Sequence, residues 1–162
     1  MNKTLIILTF LTLTFSGCAR TTQPASQKTS FPVEKKSTKS TLDLSNQQLT
    51  HIPDGVFNQT TLESLDISNN ALTGSLPGEI RHLDKLKMLD ASNNNMTGVP
   101  AEVGQLANLQ ILNLANNQLT GLPLELGNLH QLRVLNLSGN SYSEYDLERI
   151  KKNLPSNVQI IQ

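Results

Sequence analysis

A repeat with a period of about 23 residues constrains the fold of this chain more than any other feature of its sequence. The repeated pattern is L-x-x-L-x-L-x-x-N-x-L, and it is clearest from Leu109 to Leu119. Its second Leu recurs at nearly even steps, at Leu42, Leu65, Leu89, Leu112 and Leu135. The step from Leu65 to Leu89 is one position longer than the others. Because a unit this short cannot enclose its own apolar side chains, the units must stack and share one core.

Within each unit, the Leu-x-Leu alternation predicts a short strand whose alternate side chains enter that core. An Asn follows in four units, where the chain turns off the strand. We predict that its amide bonds the turn backbone of its own coil and of the neighbouring coil. This asparagine ladder consists of Asn70, Asn94, Asn117 and Asn140. A proline, with an aliphatic residue three positions later, then predicts a short helical or 3₁₀ return.

The unit resembles the repeat of the leucine-rich repeat family, and the resemblance covers five units in residues 41–140. It implies an α/β fold, a short right-handed solenoid that forms a segment of a horseshoe. A parallel sheet would line the concave face, and short helical or 3₁₀ returns would line the convex face. The resemblance also implies that the domain works by binding, and it leaves the partner unnamed.

Residues 141–162 depart from the repeat and predict a carboxy-terminal cap. Ser141 or Ser143 can begin a helix with acidic residues early and lysines late, which suits the helix dipole. Three apolar residues then fall on one helical face, and they are Leu147, Ile150 and Leu154. The segment from 158 to 161 indicates a last short strand.

Residues 1–17 are interpreted as a lipoprotein signal peptide. An apolar run from Leu5 to Phe15 is too short to span a bilayer comfortably, and it ends in Phe-Ser-Gly-Cys. That ending resembles the bacterial lipobox, although Phe15 replaces the usual Leu. The resemblance implies cleavage before Cys18 and attachment of lipid to its sulfur. An ordinary secretory signal with an incidental cysteine is the alternative.

Residues 18–40 are predicted to be the lipidated cysteine and a disordered tether, because Ser, Thr, Gln and Lys dominate them. Resemblance to Gram-negative lipoproteins places the protein in the bacterial cell envelope, and Ala19, where some of them carry Asp, favours the outer membrane. Residues 41–140 carry four Lys/Arg against nine Asp/Glu. This acidic balance argues against nucleic acid as a partner, because phosphate neutralisation needs a basic face.

Strand residues that point away from the core should form columns across the concave sheet, about 4.8 Å apart. Two columns are predicted to contact a partner, and they comprise Ser64, Met88, Ile111 and Val134, and Asp66, Asp90, Asn113 and Asn136. A further serine column is expected on this face, at Ser45, Ser68, Ser92 and Ser138 with Ala115. The alternative interpretation is that the recurring Asp, Ser and Asn letters are simply the family's common strand sequence.

Two hypotheses of function follow. In the first, a lipid-anchored envelope protein binds a protein partner through the concave face. In the second, a structural or adhesion lipoprotein contacts cell-wall glycan or a host surface. The three histidines, His51, His82 and His130, occupy different places in their repeats. No catalytic triad order, phosphate loop or metal-ligand spacing occurs, so we predict neither an enzyme nor a cofactor or metal site. The oligomeric state stays open.

Overall fold

A computed structural model describes residues 40–162. The predicted signal peptide, Cys18 and all of the predicted tether except Ser40 lie outside the described residues. Within residues 40–162 the chain forms eight short strands: β1 Thr41–Asp43, β2 Ser64–Asp66, β3 Thr73–Ser75, β4 Met88–Asp90, β5 Asn95–Gly98, β6 Ile111–Asn113, β7 Val134–Asn136 and β8 Gln159–Ile161.

Six of these strands form one parallel sheet in the order β1-β2-β4-β6-β7-β8. The second leucines of the five units stand side by side in the register, and Ile160 of β8 continues their row. From β2 to β7 these leucines are fully buried. The predicted solenoid with a parallel sheet is therefore confirmed, and the shared core is the reason that the units stack.

Four 3₁₀ helices form the returns between the strands: Asp54–Asn58, Gly78–His82, Ala101–Gln105 and Leu124–Asn128. A proline precedes each return with φ between −59° and −75°. Proline's fixed φ suits this entry, and its missing N–H removes no hydrogen bond at a helix start. The aliphatic residue three positions after each proline is buried, which confirms the predicted 3₁₀ returns.

The second unit, which has one extra residue, builds a feature that the sequence did not predict. This unit contains β3, which pairs in parallel with β5 in a separate two-stranded sheet. The register of this pair shifts between Gly74 and Ser75, and Gly74 has φ of +71°. Glycine fits this left-handed conformation, which costs other residues energy.

The carboxy-terminal end of the core is covered by one α-helix and by β8. Helix α1, Glu144–Lys151, begins at Ser143, whose Oγ accepts a hydrogen bond of 3.4 Å from the Asp146 N–H. Leu147 and Ile150 of this helix are fully buried. Of the two serines that the sequence offered as the helix start, the structure therefore uses the second.

One close approach between returns gives a stability prediction. Gly104 of the third return lies so near the fourth that a Cβ there would collide with the carbonyl oxygen of Glu125. We expect Gly104→Ala to lower the unfolding free energy of the full chain by about 1–3 kcal/mol, as measured in urea titrations. The added methyl group forces the backbone of one of the two returns to shift. Gly55→Ala is the matched control, since no atom lies within 4 Å of its added carbon. Equal losses in the two variants would contradict this packing.

Candidate functional site

The turn that follows each strand is held by a ladder asparagine. Asn117 Oδ1 accepts a bond of 3.0 Å from the Met96 N–H, in the preceding coil. Its Nδ2 donates to the carbonyl oxygens of Leu114, in its own coil, and Ala91, both at 3.0 Å. Asn70, Asn94 and Asn140 make the corresponding bonds. These amides join consecutive coils and fix the strand ends that carry the site.

The Asp and Asn column has a local role in every unit. In each case Oδ1 accepts a hydrogen bond from the backbone N–H two residues later, at 2.9 to 3.2 Å. The residues concerned are Asp43, Asp66, Asp90, Asn113 and Asn136. At Asp43 the bond from Ser45 N–H lowers the pKa of the carboxyl. This hydrogen bond is a physical reason for the recurrence of Asp and Asn at this position, as in the alternative that the letters are the family's common strand sequence. It uses one of the two polar atoms of each of these side chains.

The expectation that the serine column lies on the exposed face is wrong for most of its positions. Ser68, Ser92 and Ala115 are buried, so most of this column offers no surface to a ligand. The reason is that each strand ends at the preceding Asp or Asn, and the turn folds the next small residue back against that side chain. Ser92 Oγ, for example, donates to Asp90 Oδ1 at 2.6 Å.

A row of left-handed residues follows the serine column. Asn46, Asn69, Asn93 and Asn116 have φ between +53° and +57°, and Gly139 has φ of +70°. Asn and Gly tolerate this conformation better than other residues do. Their recurrence along the chain therefore reflects the backbone of the turn.

The other predicted column is the exposed part of the sheet. Ser64, Met88, Ile111 and Val134 lie in direct register on four neighbouring strands. Ile111 is 36% exposed, and the other three are half-buried. At the strand starts, Lys87 Nζ lies 3.1 Å from Glu63 Oε2, a partly exposed ion pair that contributes at most about 1 kcal/mol.

The structure adds one residue that the sequence did not assign to this face. Ile161 of β8 stands beside Asn136 in the register and is 36% exposed. Ile160 continues the row of core leucines in the register, so Ile161 faces the other side of the sheet, because strand residues alternate between faces. We call Met88, Ile111, Val134 and Ile161 the apolar patch. It extends over β4, β6, β7 and β8, whereas Asp43, Asp66 and Asp90 lie on β1, β2 and β4.

Within residues 40–162, no three His, Cys, Asp or Glu side chains are arranged to hold a metal ion. The same part of the chain has no helix long and apolar enough to cross a bilayer.

Stacked coils of about 23 residues, joined by the asparagine ladder and carrying a parallel sheet, define a leucine-rich repeat protein. A family model described as a leucine-rich repeat region matches residues 35–160, and the chain belongs to this family. The family and its fold are typical of non-enzymatic scaffolds that bind proteins. A search of curated proteins found no match.

Solved structures from bacteria and plants are similar. A leucine-rich repeat protein of Leptospira interrogans is 43% identical, with a TM-score of 0.66, over 71% of this chain and 29% of that one. The plant peptide hormone receptor RGFR1 in complex with RGF2 is 36% identical, with a TM-score of 0.61, over 75% and 21%. An internalin of Listeria monocytogenes is 30% identical, with a TM-score of 0.59, over 68% and 31%. The chain spans less than a third of each of these proteins.

Proposed function

We propose that this protein is lipid-anchored in the bacterial cell envelope and binds a protein partner through its concave face. The observation that carries the proposal is the apolar patch, which is partly exposed on a sheet whose other outward positions are polar. Contiguous exposed apolar side chains on a soluble domain mark interaction surfaces. The centre of such an interface usually supplies most of the binding energy.

Features of the chain support each half of the proposal. The structure of RGFR1 with RGF2 offers a precedent for a leucine-rich repeat protein that binds a polypeptide. For the anchor, Cys18 is the only cysteine, and it stands directly after an apolar run and two small residues. The similar protein from Leptospira interrogans is also bacterial.

A two-stage experiment tests the protein-binding half. A photoreactive amino acid at Val134, in cells that carry the anchored full chain, crosslinks the partner, which is then identified and purified. We expect Ile111→Lys to weaken its binding to the full chain by at least about 30-fold, because a charge replaces a central apolar contact. Calorimetry or surface plasmon resonance measures the change.

Leu124→Lys is the matched control for this substitution. Leu124 is also 36% exposed, but it lies in a 3₁₀ return on the convex side. It should leave the affinity within about threefold. Equal effects of the two lysines, or no effect of either, would contradict binding through the apolar patch.

The second candidate function, adhesion to glycan, is favoured by the aspartates of the face. In the described part of the chain, Asp43 and Asp66 form side-chain bonds through Oδ1 alone. Their second oxygens can accept bonds from sugar hydroxyls. Asp66→Asn distinguishes the two functions. Glycan binding predicts that this change and soluble cell-wall glycan reduce attachment, whereas protein binding through the apolar patch predicts that neither does.

A further inference from the structure

The first two coils leave a gap between them on the side of the returns. Four positions after the return proline, the third and fourth units carry Gly104 and Gly127, whereas the first unit carries Phe57. Gly104 lets its return approach the backbone of Glu125, which a Cβ there would touch. Phe57 is buried at the equivalent position, where its ring takes up space. The first and second returns lie less close together than the later returns do.

Two depressions between these coils form one groove. One has a volume of about 180 Å³, and the other, of about 400 Å³, lies between the first two returns. Asp54 and Pro77 line both depressions, so the two are continuous, and we call them together the inter-coil groove. The smaller depression is lined by apolar side chains that are at most 5% exposed: Ile52, Leu72, Leu76 and Met96. Since an apolar cavity of about 150 Å³ holds a benzene ring, this depression has room for one aliphatic or aromatic side chain.

The rim of the inter-coil groove is acidic. Asp54 and Glu79 are exposed, and neither carboxylate forms an ion pair within residues 40–162. The other ionisable side chains of the lining, in the described part of the chain, are His51 and His82. Arg81 of the second return lines neither depression. The groove therefore favours a ligand that carries positive charge.

The groove also borders backbone groups at the edge of β3. The Leu72 carbonyl oxygen accepts a bond of 2.8 Å from the Asn95 N–H, in the third unit. Because successive residues of a strand turn their backbone groups to alternate sides, those of Thr73 point toward the first unit. Thr73 lines the groove, and no backbone hydrogen bond among the described residues joins it to the first unit. An extended peptide can bond to such an edge.

We propose that the inter-coil groove binds an extended peptide segment of a partner protein, in which an aliphatic or aromatic side chain stands beside a Lys or Arg. The apolar side chain enters the smaller depression, the cation faces Asp54 and Glu79, and the peptide backbone bonds Thr73. This site is formed by the returns and the β3 edge, so it goes beyond binding at the apolar patch and does not depend on it.

A second copy of this chain fits the groove less well than such a peptide. Residues 41–140 carry nine Asp/Glu against four Lys/Arg, so two repeat domains brought together would repel each other. A peptide with lysines beside a leucine supplies both the missing charge and the apolar side chain.

Nuclear magnetic resonance titration of the full chain tests the proposal. The probe is the peptide Gly-Ser-Lys-Leu-Lys-Ser-Gly with blocked ends. We expect saturable shifts of amide signals in residues 50–54 and 72–79, and none in residues 111–136. Replacing the leucine of the peptide with serine should weaken binding by at least about tenfold, because no apolar side chain then fills the depression. Replacing its lysines with glutamates should abolish binding.

The double variant Asp54→Asn, Glu79→Gln removes both rim charges and should weaken binding of the probe by about fivefold. Glu125→Gln, Glu144→Gln is the matched control. It removes the same net charge from two exposed carboxylates that line neither depression. The control should keep the affinity within about twofold, because distant charges are screened.

Three results would overturn the proposal. The probe could cause no shifts in the groove at millimolar concentration. Both double variants could lose affinity equally, which would indicate attraction to the whole acidic domain. The groove signals could shift with protein concentration in the absence of the probe, which would assign the groove to a second copy. Ile111→Lys should leave binding of the probe unchanged, so this proposal and binding at the apolar patch can fail separately.

Discussion

Asn117→Leu should lower the unfolding free energy by about 3 kcal/mol or more. Asn117 is 7% exposed, and its amide serves backbone groups of two coils. Leu has nearly the same size but no hydrogen-bonding group, so the Met96 N–H would be left buried without its partner. The carbonyl oxygens of Ala91 and Leu114 would each lose one bond and keep the bond from Asn94 or Asn140. An unpaired buried group costs about 1–3 kcal/mol, and the two lost bonds to carbonyl oxygens add about 1 kcal/mol each. Urea unfolding of the full chain, followed by circular dichroism, measures the loss.

The control for this change is Asn128→Leu. Asn128 is exposed at the end of the fourth return, so the same substitution there should change stability by less than about 0.5 kcal/mol. A midpoint for Asn117→Leu that matches this control would contradict the role of the ladder in joining the coils. If the midpoint is unchanged but the unfolding free energy depends less steeply on urea concentration, the coils no longer unfold together.

Cys18→Ser should move the protein from the membrane fraction to the soluble fraction almost completely. A serine hydroxyl cannot form the thioether that the lipobox resemblance implies. Without acyl chains the protein loses about 0.8 kcal/mol for every methylene that it would bury in the bilayer. Fractionation of cells and labelling with a radioactive fatty acid measure the two effects.

Ser16→Ala provides the control, because it keeps a small residue before the cysteine. This variant should remain membrane-bound and labelled. If Cys18→Ser still incorporates the fatty acid, the lipid anchor on Cys18 is wrong. Loss of label without release would instead point to an uncleaved signal peptide or a second membrane contact.

The repeat allowed much of the fold to be predicted, because its period fixes the register. Once Leu65 and Leu89 are aligned, the neighbouring positions of every strand align as well, and the proline spacing locates the returns. The columns beyond the strands could not be predicted in this way. Whether Ser68 is exposed depends on how the turn bends after Asp66, and that turn is set by a hydrogen bond and not by side-chain alternation.

Two other features depend on contacts between distant residues. The β3–β5 pair joins the second unit to the third, and a single unit seen alone does not reveal a partner for Thr73–Ser75. Ile161 lies on the concave face because β8 joins the main sheet in register with β7. The sequence indicated a strand there, and the side that each isoleucine faces follows only from that pairing.

The asparagine ladder has a consequence for the growth of such proteins. Each ladder amide bonds its own coil and the one before it, so a duplicated unit finds both sets of partners wherever it is inserted between complete coils. Every duplication widens the sheet by about 4.8 Å and leaves the end structures unchanged. Gene duplication can thus adjust the span of this surface in uniform increments.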